Sequence, residues 1–337
     1  MIEPEQYGVI VMATSPSGSA PITVTEENFR QAESDSYFRN AIKQGGAGRF
    51  HHIRQAMPIS NQTVIRANRD TLYSAAVFDL DAGPVTVTLP DPGGRFMSMQ
   101  DFDEEQYSLA TVYAPGRFTF TKDKIGMRYF MLGVRTFIDP NDPKDIGRVH
   151  ALQDAIKVEQ SGGPGSFDLP NWDAASQNAV RAELLKRAAT IPDTNRMYGP
   201  RGKVDPERHL IGTATGWGAN GPQDATYVPV VPPNNDGKTV HRLTVKGDVP
   251  VDGFWSISVY GADGYFHKND QDAYSINNVT AKKAADGSVT IQFGGCDRST
   301  VNCLPIAEGW NYWVRLYRPR KEILDGTWKF PEAEPVG

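Results

Sequence analysis

The sequence predicts a mainly β (α+β) protein, built as two antiparallel β domains with helical elements between them. Three observations carry this. Apolar and polar residues alternate over short segments, which is the pattern of half-buried strands. Asp-Gly pairs at Asp236-Gly237, Asp252-Gly253, Asp263-Gly264, Asp286-Gly287 and Asp325-Gly326 supply tight turns between them. The 32 glycines and 24 prolines suit many turns and short strands better than a helical bundle.

At 337 residues the chain has room for two domains of ~150 residues each. With 39% hydrophobic and 22% charged residues, the composition is that of a globular protein and not of a disordered one. The net charge is -5 and the 35 basic residues are spread along the chain. No basic arm or patch exists to hold nucleic acid or an anionic membrane surface. The longest apolar run, Tyr7–Ala13, is far short of the ~20 residues that span a bilayer. Glu3 and Glu5 stand where a signal peptide carries basic residues. The expectation is a cytoplasmic protein or a mature form whose leader has been removed.

Residues 1–24 read as an irregular or strand-like lead-in. Thr25 is the expected cap of a helix to about Lys43, with Phe29, Ala32, Phe38, Ala41 and Ile42 near one face. Gly45-Gly46-Ala47-Gly48 ends it. Strands are expected at 85–89, 96–102, 109–113, 117–121 and 128–138. Asp142 and Pro143 open a helix to about Val158, with Ile146, Val149, Leu152 and Ile156 as its buried stripe. The N-terminal β domain therefore covers 25–165. Asp173 caps a third helix to about Ala189, in which Val180, Leu184 and Ala188 face inward and Glu183 pairs with Arg187. Residues 166–235 form a helical and Gly/Pro-rich connector, and 201–235 carry few periodic apolar residues.

The C-terminal domain, 236–337, has the clearest alternation. In FWSISVY (Phe254–Tyr260), Trp255, Ile257 and Val259 share one face and Ser256 and Ser258 the other. Val289, Ile291 and Phe293 repeat the pattern, as do Tyr312, Val314 and Leu316. Cys296 and Cys303 lie between two of these strands. Two readings stand: a disulfide that closes the loop and favours an oxidising compartment, or two free thiols.

Several segments resemble a known family. NRDTLYSAAVFDLDAGPVTVTLP (Asn68–Pro90), HALQDAI (His150–Ile156), GFWSISVY, DGSVTIQF, NCLP (Asn302–Pro305), VRLYRP (Val314–Pro319) and DGTWKFP (Asp325–Pro331) are similar, in the same order, to the paired bacterial domains of unknown function numbered 1254 and 1214. The resemblance runs from about Thr25 to the end. It implies two β-sandwich or jelly-roll-like domains, often in exported proteins, and it carries no established reaction. Cys303 departs from the pattern, since the family commonly has Trp there.

Familiar catalytic signatures are absent from the sequence. Gly216–Gly221 fits G-x-G-x-x-G, but Pro222 follows and no strand-turn-helix frames it. No cofactor or metal is expected. The acidic run Asp101, Asp103, Glu104 and Glu105 offers a cation site or, as the better-supported reading, a solvated strand end. The richest polar group is Arg66, Asn68, Arg69, Asp70 and Tyr73. On an extended chain Arg66, Asn68 and Asp70 share a face, because side chains alternate with period two. Such a face either binds a small polar ligand, with Asp70 as general base and Tyr73 as acid, or fixes the strand into the other domain through an Arg–Asp pair. His209 follows Asp205 by four residues and offers a second acid/base pair or a capped helix start. His241 and His267 read as strand-surface and loop residues. Most aromatics belong to the core, but Trp217 sits in a Gly-rich loop; if Trp217 and Trp255 meet the Asp70 face, the cleft suits a ring-containing or sugar-like molecule.

The expectation is a cofactor-independent hydrolase or lyase acting on a small organic or sugar-like substrate in an inter-domain polar-aromatic cleft. Asp70, Tyr73 and His209 would carry the chemistry, and Arg66, Asn68, Trp217 and Trp255 would bind. The alternative is a non-catalytic cell-envelope protein that binds a ligand or partner through the same surface. A raised carboxylate pKa in an enclosed pocket favours the enzyme, and an Asp70 tied to an arginine favours the binder.

Overall fold

Phe29, Ala32, Phe38 and Ala41 recur at helical spacing and form the buried side of α1 (Phe29–Lys43). The computed structural model describes residues 20–62, 66–188, 190–191 and 193–336, so most of the expected lead-in lies outside the described residues. α1 starts later than Thr25. Asn28 stands at its N-cap without a side-chain cap bond, and the Thr25 N–H bonds Asn28 Oδ1 at 2.8 Å instead. Thr25 thus belongs to the turn before the helix.

The strands that follow are β1 (His51–His52), β2 (Thr71–Asp79), β3 (Val85–Leu89), β4 (Met97–Asp103), β5 (Thr111–Tyr113), β6 (Gly116–Phe120), β7 (Tyr129–Phe137) and β8 (Lys157–Gln160). They form a five-stranded sheet, β1-β2-β7-β4-β5, and a three-stranded sheet, β6-β3-β8. Ala76 and Phe78 of β2, Val85, Val87 and Leu89 of β3, Met97 and Met99 of β4, and Phe130, Leu132 and Val134 of β7 make one apolar core. The short α2 (Lys122–Ile125) leads into β7.

α3 (Pro143–Asp154) opens as expected, with Asp142 accepting from the Lys144 N–H at 2.9 Å. It ends before the expected Val158. Val158 lies two residues past Ile156, off the stripe of Ile146, Val149, Leu152 and Ile156, and it pairs with Val87 as part of β8. α4 (Ala174–Ala188) buries Leu184 and packs Val180 and Ala188 against the same cluster. The expected Glu183–Arg187 pair does not form. Lys186 takes Glu183 at 3.1 Å, and Arg187 reaches Glu26 at 2.9 Å and Glu207 at 3.0 Å.

The stretch read as a plain connector holds a helix and a strand. α5 (Pro206–Gly216) starts at Asp205, whose Oδ1 accepts from the Glu207 and Arg208 N–H groups. The Asp-Pro start, the same as at Asp142-Pro143, is the signal for it. β9 (Ala225–Val230) then pairs with a strand of the C-terminal domain.

That domain contains β10 (His241–Val245), β11 (Trp255–Tyr260), β12 (Ser275–Asn277), β13 (Val289–Phe293), β14 (Cys303–Leu304), β15 (Asn311–Tyr317), the short α6 (Lys321–Leu324) and β16 (Glu334–Pro335). Two sheets result, β14-β13-β10-β16 and β12-β11-β15-β9. Leu243, Trp255, Ile257, Val259, Ile291, Phe293, Trp310, Tyr312 and Val314 share their core. Cys296 and Cys303 are joined in a disulfide, their Cα atoms 5.6 Å apart. Strand exceeds helix, 27% against 21%, in open and mostly antiparallel sheets, so the fold is mainly β. Among the described residues no helix is long and apolar enough to cross a membrane.

The two domains meet through aromatic rings. Phe96 and Phe137 pack edge-on against Phe254 at 5.2 and 4.9 Å, and Tyr317 and Tyr227 join the cluster. A second contact sets Met57, Ile59 and Ala67 against Tyr260, Phe266, Tyr274 and Trp313.

Candidate functional site

The segment before β2 is not extended. Arg66 has φ of 52°, and Asn68 Oδ1 accepts the Asp70 N–H at 2.8 Å in a local side-chain turn. The common face expected from period two therefore does not form, and each side chain goes to its own partner on the C-terminal domain. The Arg66 guanidinium lies 5.1 Å from the centre of the Trp313 ring. Asn68 donates to the Tyr317 hydroxyl at 2.8 Å. Asp70 is 1% exposed, and its Oδ1 accepts from Asn277 Nδ2 at 3.0 Å. Burial pushes the Asp70 pKa up, while the Asn277 bond, the Arg315 charge and the Ser256 and Ser275 hydroxyls oppose that shift.

Strand register explains which groups face one another across the boundary. In the N-terminal sheet Tyr73, Arg135, Ser98 and Tyr113 stand in one cross-strand row, through the pairs Tyr73↔Arg135, Ser98↔Arg135 and Ser98↔Tyr113. The next row on the same face includes Gly133, Gln100 and Thr111. In the C-terminal sheet Asn277, Ser256, Arg315 and Tyr227 form the corresponding row. Each sheet thus keeps its apolar residues on its own core side and turns a polar row, centred on an arginine, towards the other domain.

Arg315 is buried. It bonds Ser258 Oγ at 2.9 Å, the Tyr260 hydroxyl at 2.6 Å and the Arg66 carbonyl at 2.8 Å. Arg135 bonds Gln100 Oε1 at 2.9 Å and the Gly218 carbonyl at 2.5 Å, with the Tyr73 ring centre 5.7 Å from its guanidinium. Gln100 in turn donates to the Ala219 carbonyl at 3.1 Å. Burial and the phenols of Tyr227 and Tyr73 hold the Tyr317 hydroxyl well above its usual range, against the charges of Arg315 and Arg135. Tyr73, Asn68, Tyr317, Arg135 and Tyr227 are therefore neighbours at one junction.

His209 and the two tryptophans lie elsewhere. His209 is fully buried, its Nδ1 2.7 Å from the Met197 carbonyl and its Nε2 3.0 Å from the Glu105 carbonyl. Burial lowers its pKa. Asp205 caps α5 and does not touch the imidazole, which stacks on Tyr107 at 4.2 Å. Trp217 follows α5, stacks on Tyr37 at 4.2 Å and donates to Ser34 Oγ at 3.0 Å. Trp255 is 4% exposed in the C-terminal core, edge-on to Phe330. These two rings neither meet each other nor meet Asp70. His241, expected at a strand surface, is buried edge-on to Trp310 at 5.3 Å.

The acidic run is not a solvated strand end. Asp101, Asp103 and Glu104 are buried. Asp101 accepts the Leu109 and Ala110 N–H groups, and Asp103 accepts those of Glu105 and Tyr107. The carboxylates hold their own loop, so burial leaves them hydrogen-bonded. Burial raises the Asp103 pKa to about 6, against those bonds and Arg201. Asp101 and Asp103, together with Tyr107, Lys124 and Arg201, line a depression of about 160 Å3. A second hollow of about 70 Å3 lies by Tyr260, His267, Asn269 and Tyr274. Among the described residues no three His, Cys, Asp or Glu side chains converge as a metal site.

Residues 47–160 match the family described as "Protein of unknown function (DUF1254)", and residues 233–321 match "Protein of unknown function (DUF1214)". The chain belongs to the tandem DUF1254–DUF1214 family. α4, α5 and β9 fall between the two matched segments of this tandem protein. No curated protein matches its sequence. Its fold is similar to the crystal structure of the VPA0106 protein from Vibrio parahaemolyticus, with a TM-score of 0.69 and 18% identity over 93% of this chain and 98% of that one. It is also similar to an uncharacterised protein from Burkholderia cenocepacia, with a TM-score of 0.51 and 12% identity over 92% and 88%. At such identities the likeness concerns the fold alone.

Proposed function

We propose that this DUF1254–DUF1214 protein binds a small ring-containing molecule between its two domains. One observation carries the reading: beside the aromatic contact between the domains, each sheet has a polar row centred on a buried arginine, Arg135 or Arg315, on the side away from its own core, where a contact built only for stability would be apolar throughout. Buried polar and charged groups are costly to maintain and are common where a ligand is recognised. The phenols of Tyr73, Tyr227 and Tyr317 supply flat apolar surface together with hydroxyls, and Asn68 adds an amide. Asp70 is held by Asn277 beside Arg315, which supports recognition more than base catalysis.

The test is a thermal-shift screen of sugars, aromatic alcohols and aromatic and sugar acids against the full chain. Hits that raise Tm, and that weaken in Asn68→Ala and Tyr227→Phe, support the reading. Hits indifferent to both substitutions place binding elsewhere and sink it.

A hydrolase or lyase on the same face is the second reading, favoured by the raised pKa of the buried Asp70. It requires the Asp70 carboxylate, enclosed by Asn277, Ser256 and Ser275, to reach the bound molecule. Turnover that is lost in Asp70→Asn while binding persists would establish it. His209 would enter such chemistry only if its two carbonyl partners released it.

A further inference from the structure

Arg135 is 7% exposed, and among the described residues no carboxylate forms an ion pair with it. Its acceptors, Gln100 Oε1 and the Gly218 carbonyl, are neutral. A guanidinium taken out of water without a counter-charge is expensive to keep, and proteins normally pair it. The carboxylate that feels its charge is Asp224, which is already bonded to the Tyr113 hydroxyl at 2.7 Å. Directly opposite Arg135, in the same cross-strand row, stands Ser98. Ser98 is 1% exposed, and its hydroxyl has no hydrogen-bond partner. An unpaired buried hydroxyl calls for an explanation of its own.

We infer that Arg135 and Ser98 form an oxyanion seat, and that the molecule bound between the domains is a ring compound bearing a carboxylate. The inference rests on the reading that this face binds a small molecule and specifies its class. A guanidinium has five N–H donors, of which the two neutral acceptors leave some to spare, and its planar fork matches a carboxylate. The Ser98 hydroxyl donates to one carboxylate oxygen. One guanidinium and one hydroxyl at the seat suit the single negative charge of a carboxylate. Tyr73 and Tyr113, both partly exposed, end the row on either side, and Tyr317 and Tyr227 provide the surface for the ring.

The experiment is calorimetric titration of the full chain with benzoate and galacturonate, each compared with its uncharged counterpart, benzamide and galactose. At least one acid is expected to bind at least tenfold tighter than its uncharged counterpart. Ser98→Ala should weaken that acid by about tenfold, the loss of one hydrogen bond to a charged group. Arg135→Gln should erase the preference, so that acid and neutral compound bind alike. Ser98→Ala removes only one unpaired hydroxyl, so it remains informative if Arg135→Gln fails to fold. Equal binding of acids and neutral compounds to the wild type overturns the oxyanion seat and leaves the small-molecule reading standing. A preference that survives both substitutions also overturns it. Silence from all four probes counts against the seat and against the reading beneath it.

Discussion

Tyr113 and Asp224 are joined across the domain boundary: the phenol of β5 donates to Asp224 Oδ1 at 2.7 Å, and the Arg318 guanidinium lies 4.5 Å from the centre of the same ring. Burial raises the pKa of Asp224, and the Tyr113 and Thr111 bonds and the charges of Arg135 and Arg318 oppose it. Tyr113→Phe leaves the carboxylate without this donor. The expected cost is about 1–3 kcal/mol in urea unfolding, the range for a partner stripped from a buried polar group. A change within error would mean that water replaces the bond.

Asp35 makes stability depend on pH. It is fully buried, and its Oδ2 accepts from Trp172 Nε1 at 2.7 Å. Burial raises its pKa to about 7; the Trp172 bond and Arg39 oppose this, and Glu104 adds to it. Between about 7 and the ordinary value of 3.8 the folded state holds a proton that the unfolded chain releases. This group therefore destabilises fully above pH 7, and each unit of acidification through that window restores up to about 1.4 kcal/mol. Melting curves from pH 8 to pH 4 should show Asp35→Asn more stable than wild type at the alkaline end, with the gap closing on acidification. A constant gap would refute the assignment.

Trp217 is a cross-brace between α1 and the loop after α5. Trp217→Phe keeps a ring over Tyr37 and loses the bond to Ser34, for an expected loss of about 1 kcal/mol. Trp217→Ala removes the stack as well, for about 3 kcal/mol. Chemical denaturation of the pair separates the two contributions, and equal losses would mean that stacking contributes nothing.

Gly162 and Gly163 test space against conformation. A Cβ on Gly162 would lie 2.0 Å from the Ala82 carbonyl oxygen, whereas one on Gly163, at φ of +73°, would meet nothing within 4 Å. Gly163→Ala should cost about 1 kcal/mol for the left-handed backbone. Gly162→Ala should cost roughly 2–3 kcal/mol, because backbone must move. The order of the two melting temperatures is the readout, and the reverse order would contradict this geometry.

Legibility in the sequence followed the range of the interaction. Alternation located β3, β11, β13 and β15 within a residue, and Asp142-Pro143 located the start of α3, because pleat and cap are decided by neighbours in the chain. Val158 is a strand residue only through the distant Val87, a pairing that its neighbours in the chain do not signal. The acidic run was misread for a related reason: residue type predicts solvation, and only the loop's own N–H groups, folded back onto Asp101 and Asp103, allow burial.

For the candidate site the division is sharper. Arg66, Asn68, Asp70 and Tyr73 were singled out by composition, but their convergence on one face assumed an extended chain that the turn at Asn68 breaks. Arg135, Ser98 and Gln100 carried no signal, since an arginine in a strand normally points to water. The sequence by itself determined the clearly alternating strands, β3, β11, β13 and β15, with their faces and most of their ends, since these depend on period two. Only the tertiary structure decided that Asn68 meets Tyr317, 249 residues away, and that Arg135 lies under the Gly218 carbonyl. Such meetings depend on how two sheets pack against each other, and no local periodicity encodes that.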